Sequence, residues 1–276
     1  MTTPHDDAVA PSGLDPAGTP PDAALTEAPL DVVGRIRAAS NATFLARLGD
    51  LSVVYKPVAG EKPLWDFPDG TLAGREVAAY LVSEAFGWAV VPRTWLRDGP
   101  LGPGMVQVWQ DVDATQSPVD VVPTDEVPRE GVRTVLEGVD EEDRPVSVVH
   151  EDSPALRRMA VLDAVVNNAD RKGGHVLPLA DGRRLGVDHG VTFHVEPKLR
   201  TVLWGWLGEP LADDELAGVE RVRAGLGTDG GLGRALRGLL APDEVTALAE
   251  RCDRLLRTAR FPGPEGDMPA VPWPLF

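Results

Sequence analysis

The stretch Met159-Ala-Val-Leu-Asp-Ala-Val-Val-Asn-Asn-Ala-Asp170-Arg-Lys-Gly-Gly-His175-Val-Leu-Pro-Leu-Ala-Asp-Gly-Arg-Arg-Leu-Gly-Val-Asp188-His-Gly-Val191 reads as a helix, a polar loop and a β-hairpin. Met159, Leu162, Val165 and Val166 recur at the three- and four-residue intervals of a buried helix face, and the polar run from Asn167 to Gly174 breaks that pattern. Two short apolar runs follow, joined by Asp181-Gly182. Asp-Gly is a strong hairpin signal because a two-residue type I′ turn needs positive φ at both central positions. Counting outward from that turn, Ala180 faces Arg183 and His175 faces Asp188, with opposed Cβ atoms about 4.5 to 5.5 Å apart. Asp170 precedes the same open end, so Asp170, His175 and Asp188 are expected to converge there.

Outward from this stretch, the chain is that of a globular protein. Its 276 residues are 43% hydrophobic, enough for a substantial core. A formal charge of −16 argues against a nucleic-acid footprint and against stable association with anionic membranes, because both partners would be repelled. The single Cys252 excludes an intramolecular disulfide and is expected as a packed thiol. No run approaches the roughly 20 apolar residues that span a bilayer. The N-terminus has neither a basic start nor an apolar core, so a cytoplasmic location is expected.

Composition divides the chain further. Residues 1–30 are expected as a disordered acidic tail. Residues 31–112 are expected as a β-rich lobe, with strands near 31–37, 43–48 and 51–56, a helix from Ala73 to Phe86, and strands from Trp88 to Arg97 and from Gly104 to Gln110. The helix carries an apolar stripe of Val77, Tyr80, Leu81 and Ala85, with Glu76 in its first turn, where the helix dipole favours a carboxylate. Lys56 ends the third strand before Pro57, and Ser40-Asn41-Ala42 offers polar turn groups to a phosphate. Residues 113–153 read as an acidic mobile linker with a peripheral hairpin, 154–260 as a mainly helical lobe, and 261–276 as an irregular tail. The expected class is α+β, two lobes flanking a cleft.

Asp170, His175 and Asp188 together form a hard-metal and proton-accepting cluster of the kind phosphoryl transfer uses. Val54-Tyr-Lys56-Pro57, Gly74-Arg-Glu76, Asn168-Ala-Asp170-Arg171-Lys-Gly-Gly-His175 and Gly186-Val-Asp188-His189-Gly190 resemble the atypical kinases of the phosphatidylinositol 3-/4-kinase superfamily, more narrowly an actinobacterial-type branch of it. The resemblance covers about residues 31–260. It implies a two-lobed protein-kinase-like fold and a phosphotransferase that uses ATP and Mg²⁺, with Mn²⁺ as an alternative. It assigns Lys56 and Glu76 to the ATP phosphates, Asp170 and Arg171 to the catalytic loop, and Asp188 and His175 to the metal. Ser40 and Asn41 stand for the phosphate loop, and Met105 to Trp109, with Gln107 and Val108, for the adenine-binding hinge. Two residues depart from the family: His175 replaces a metal-binding Asn and His189 replaces Phe, and imidazole suits Mg²⁺ less well than an oxygen ligand. The expected acceptor is a soluble small molecule or protein, with Lys198 and Arg200 available to an anionic one. Two other readings remain open, a nucleotide-binding pseudokinase scaffold and an AMP transferase with ATP inverted.

Overall fold

A computed structural model describes residues 23–36, 41–68, 70–227, 230–265 and 268–276. The first half is built from α1 (Ala23–Glu27), β1 (Leu30–Arg35), β2 (Phe44–Leu48), β3 (Leu51–Pro57), α2 (Leu72–Phe86), β4 (Thr94–Gly99) and β5 (Gly102–Val108). The five strands form one antiparallel sheet in the order β1-β2-β3-β5-β4. Successive strand side chains point to opposite faces. Val53 and Tyr55 therefore join Ala46, Trp95 and Val106 on one face. Lys56 falls on the other, beside its β5 neighbour Met105, which packs on Ala73 and Val77 of α2. Gly104 makes this pairing possible, because a Cβ there would stand 2.7 Å from the Pro57 Cα.

The disordered tail expected for residues 1–30 is corrected at its end. Residues 1–22 lie outside the described residues, but Leu25 and Ala28 pack on the sheet, and Arg97 donates to the carbonyl oxygens of both at 2.8 Å. The stripe on α2 is also broader than expected. Ala78, Ala79, Val82 and Phe86 are buried while Tyr80 and Leu81 are half-buried, because the helix is covered by the sheet on one side and by the helical half on the other. Gly87, at φ +75°, ends it in the left-handed conformation.

The segment expected at 113–153 as a mobile linker with a peripheral hairpin is a three-stranded antiparallel sheet of β6 (Val119–Pro123), β7 (Val132–Val139) and β8 (Pro145–Glu151), in the order β6-β8-β7: the expected hairpin is β7-β8, and what was expected as linker supplies β6. It is docked on the helical half: His150 lies 4.3 Å from Trp206, ring to ring, and accepts from the Gly205 amide, while Arg184 reaches Glu151 at 2.9 Å. Pro118 and Pro123 hid β6 from the sequence reading, although proline is tolerated at the edge position β6 occupies.

The second half contains α3 (Pro154–Val166), β9 (Val176–Pro178), β10 (Arg184–Gly186), α4 (Asp213–Gly225), α5 (Gly231–Leu236) and α6 (Pro242–Thr258). The chain is thus α+β, β-rich first and mainly helical second. Ser153 caps α3 by accepting from the Leu156 amide, and Asn167 at φ +54° stops it. Met159, Leu162, Val165 and Val166 are buried together with residues of α2, α4 and α6, and Cys252 is a buried free thiol in the same core.

The hairpin register differs by one residue from the expectation. Pro178 pairs with Arg184, Leu177 with Leu185 and Val176 with Gly186. The Leu179 amide donates to Arg183 O, and Gly182 at φ +87° follows a tight turn closed onto Leu179 O. Asp-Gly here belongs to a three-residue loop, Ala180 to Gly182, rather than a two-residue type I′ turn. His175 consequently meets Val187 across the ladder, whose amide donates to His175 O at 3.1 Å.

Candidate active site

Three elements meet at Lys56. Its ammonium, carried by β3, donates to Glu76 Oε1 of α2 at 2.6 Å and to Asp188 Oδ1, two residues past β10, at 2.7 Å. Glu76 is buried, and its other oxygen accepts from the His189 amide at 2.8 Å. Lys56 holds the Asp188 carboxyl well below the usual carboxylate range. Burial opposes the charge on Lys56, but Asp188 and Glu76 outweigh it and hold the ammonium above its ordinary range. Burial pushes the Glu76 carboxyl up against the opposing pull of Lys56.

Asp188 reaches this position through an unusual backbone. Its φ of +61° is left-handed, sparsely occupied by residues other than glycine. Together with the tight turn Gly173–His175, that conformation lets His175 Nε2 approach Asp188 Oδ2 to 3.4 Å even though the two residues are not paired across the ladder. His175 Nδ1 lies 3.0 Å from Asp170 O. A carbonyl only accepts, so Nδ1 carries the hydrogen, and burial keeps the ring below its ordinary pKa, leaving the Nε2 lone pair facing Asp188. An imidazole backed through its other nitrogen by a carbonyl is a common arrangement for a metal-binding histidine. Among the described residues no group of three or more His, Cys, Asp and Glu side chains is placed to hold a metal ion. What the site offers a cation is one carboxylate oxygen, Asp188 Oδ2, and one imidazole nitrogen, His175 Nε2, 3.4 Å apart.

Asp170 is half-buried, and burial pushes its carboxyl up against the pull of Lys172, whose ammonium lies 3.4 Å away. Its amide donates to Asn168 Oδ1, and Asn168 in turn donates to Asp163 Oδ1. Arg171, expected as a catalytic group, is instead sealed in the interior. It makes a bidentate pair with Asp163 of α3 at 2.8 Å, donates to His175 O and Val187 O, and donates to His189 Nε2 at 2.6 Å. Its guanidinium braces the loop from behind and does not face the cleft.

Other expected residues are placed differently. Ser40 lies outside the described residues. Asn41 lines the cleft with Lys56, Glu76 and Asp188, but its Oδ1 accepts from the Lys62 amide. Gln107 and Val108 sit inside the sheet. Gln107 pairs with Val54 and Thr94, and Val108 donates its amide to Arg93 O, so their backbones are committed to the ladders rather than to an adenine ring. Lys198 is buried and bonded to Asp66, which closes it to an acceptor, whereas the half-buried Arg200 is turned to the carbonyls of Pro269 and Val271. The sequence reading missed Glu61, which lines the cleft and accepts from the first amides of α2, Leu72 and Ala73. It also missed Asp163, whose signal was a lone carboxylate on the apolar run of α3.

Protein Rv2133c of Mycobacterium tuberculosis (strain ATCC 25618 / H37Rv) is 51% identical over 267 residues, which span 92% of this chain and 95% of that protein. The chain belongs to the Rv2133c family. No family model matches the sequence. Among solved structures, the Helicobacter pylori proinflammatory kinase CtkA is similar over 86% of this chain and 94% of that one, with a TM-score of 0.45 and 13% identity. In this member of the Rv2133c family the cleft thus gathers one ammonium, the carboxylates of Glu76 and Asp188, and a neutral imidazole, with Asp170 on the adjoining loop. No helix among the described residues is long and apolar enough to cross a membrane.

Proposed function

We propose that the chain is an ATP- and divalent-metal-dependent phosphotransferase of the phosphatidylinositol 3-/4-kinase-like type, passing the γ-phosphate to a hydroxyl of a soluble acceptor. The observation that carries this reading is the Lys56 ammonium held between Glu76 at 2.6 Å and Asp188 at 2.7 Å, which ties sheet, helix and post-hairpin motif into one site. Phosphoryl transfer requires chiefly positioning and charge neutralisation. Lys56 supplies a fixed positive charge for the phosphates, and Glu76 fixes its direction. Asp188 and His175 Nε2 would hold Mg²⁺ or Mn²⁺, which when bound neutralises phosphate charge. Asp170, its carboxyl raised by burial, accepts the hydroxyl proton as the acceptor oxygen bonds to the γ-phosphorus and ADP leaves.

The test follows two labels. With ATP labelled at the γ-phosphate and, separately, at the α-phosphate, phosphotransfer predicts released ADP and γ-label on an acceptor or on the protein itself. Released pyrophosphate with transferred α-label would replace this reading by adenylyl transfer. Bound but intact ATP would make the protein a nucleotide-binding scaffold.

A further inference from the structure

We propose that segment 268–276 is a strap that positions the Asp170 loop, with Phe276 on Gly173 as its working contact; the catalytic consequence, though not the contact, rests on the phosphotransferase reading. The Gly173 amide donates to Leu275 O at 2.8 Å, and the Phe276 ring covers the Gly173 Cα. A Cβ at Gly173 would stand 2.8 Å from Phe276 Cδ1 and 3.0 Å from Cζ, and closer still to Cε1, so only glycine leaves room for the ring. Gly173 opens the turn that carries His175, whose ring is bonded to Asp170 O.

A second line of bonds reaches the same loop from its other end. The Ala270 carbonyl accepts from the Thr201 amide at 3.1 Å and from Trp204 Nε1 at 2.8 Å, and Arg200 donates through Nε to Pro269 O. Residues 200–202 are in turn laced to the loop: Arg200 donates its amide to Asn168 O, Arg171 to Arg200 O, and Val202 to Arg171 O. The strap therefore holds the Asp170 loop directly at Gly173 and, through residues 200–202, at Asn168 and Arg171.

Val271 and Leu275 anchor the segment against the main core, whereas Phe276 is 56% exposed. A segment anchored by the half-buried Val271 and Leu275 and otherwise tied on by single hydrogen bonds to its carbonyl oxygens belongs to the low-stability end of a fold, which opens locally while the core stays closed. Phe276 touches no reacting group in this arrangement and is a positioning residue acting through Gly173.

Full-length Phe276→Ala, Gly173→Ala and the double variant test the proposal by amide hydrogen exchange and by steady-state ATP turnover. Each single variant is expected to raise exchange over 173–176 by about tenfold, the scale of one lost hydrogen bond, and to lower kcat with KM for ATP unchanged. The double variant is expected to be no worse than the singles, because one contact is removed only once, and Phe276→Tyr is expected to retain protection. Unchanged exchange in Phe276→Ala, or additive losses in the double variant, would overturn the strap. Exchange needs no nucleotide: if the wild type shows neither ATP turnover nor a thermal shift with ATP and Mg²⁺ or Mn²⁺ while exchange responds as stated, the strap stands and the phosphotransferase reading fails.

Discussion

Lys56 sits between two carboxylates with only 18% of its side chain exposed, and Glu76 is 2% exposed. Removing the cation leaves a buried carboxylate unpaired, so Lys56→Met is expected to destabilise the protein by about 3 to 5 kcal/mol in urea unfolding. Glu76→Gln added to that variant should recover part of the loss, because the charge to be compensated is gone. His189 gives a pH signature. It accepts from Arg171 at Nε2, and burial, aided by that guanidinium, holds its pKa well below the ordinary 6.5. The unfolded chain therefore takes up a proton near 6.5 that the folded chain refuses, so stability is full above that pH and is lost as pH falls toward the folded value. His150 and His175 shift the same way. The depressed Asp188 adds its own loss only below 3.8. Thermal melts are expected to fall between about pH 7 and pH 5, with a shallower slope in His189→Gln, which keeps an acceptor for Arg171. Lys56 and Glu76 were legible as a strand-end lysine and a first-turn glutamate. The left-handed backbone that aims Asp188 was not, because nothing in Val187-Asp188-His189 prescribes a positive φ.

At the scale of elements, the helix-loop-hairpin unit is braced from inside by Asp163. It accepts from Arg171 twice and from Asn168, and both Asp163 and Arg171 have 0% side-chain exposure. Asp163→Asn, nearly isosteric but uncharged, strands the buried guanidinium. It is expected to cost about 3 to 5 kcal/mol and to open the 168–175 loop to limited proteolysis at a temperature where the wild type is intact. The Asp-Gly pair correctly announced the hairpin, yet it is compatible with loops of two or three residues, and the longer one shifted the register by one. His175 and Asp188 still meet, brought together by a tight turn and a positive φ rather than by cross-strand pairing. The neighbours were legible; the geometry that joins them was not.

Across the whole molecule, the order of β-rich and helical parts was readable from periodicity, because burial against one core imposes it on every element. In the three-stranded sheet the β7-β8 hairpin was legible from its apolar runs and acidic turn, but β6 was not, because flanking acidic residues and prolines dominate its composition. What docks it, Trp206 against His150 and Arg184 against Glu151, is far away in sequence. The site is also non-local: Lys56 and Asp188 are separated by 132 positions and meet only because the sheet, α2 and the hairpin close on one cleft. The most direct test of that cleft is the thermal shift produced by ATP with Mg²⁺ or Mn²⁺ in the wild type and in Asp188→Ala. A hundredfold excess over Kd adds about 2.7 kcal/mol, several degrees in Tm for a chain of this size. The expected result is such a shift in the wild type and its loss in Asp188→Ala, whereas no shift in the wild type, or an equal shift in both, would contradict the assignment of this cleft to a metal-nucleotide.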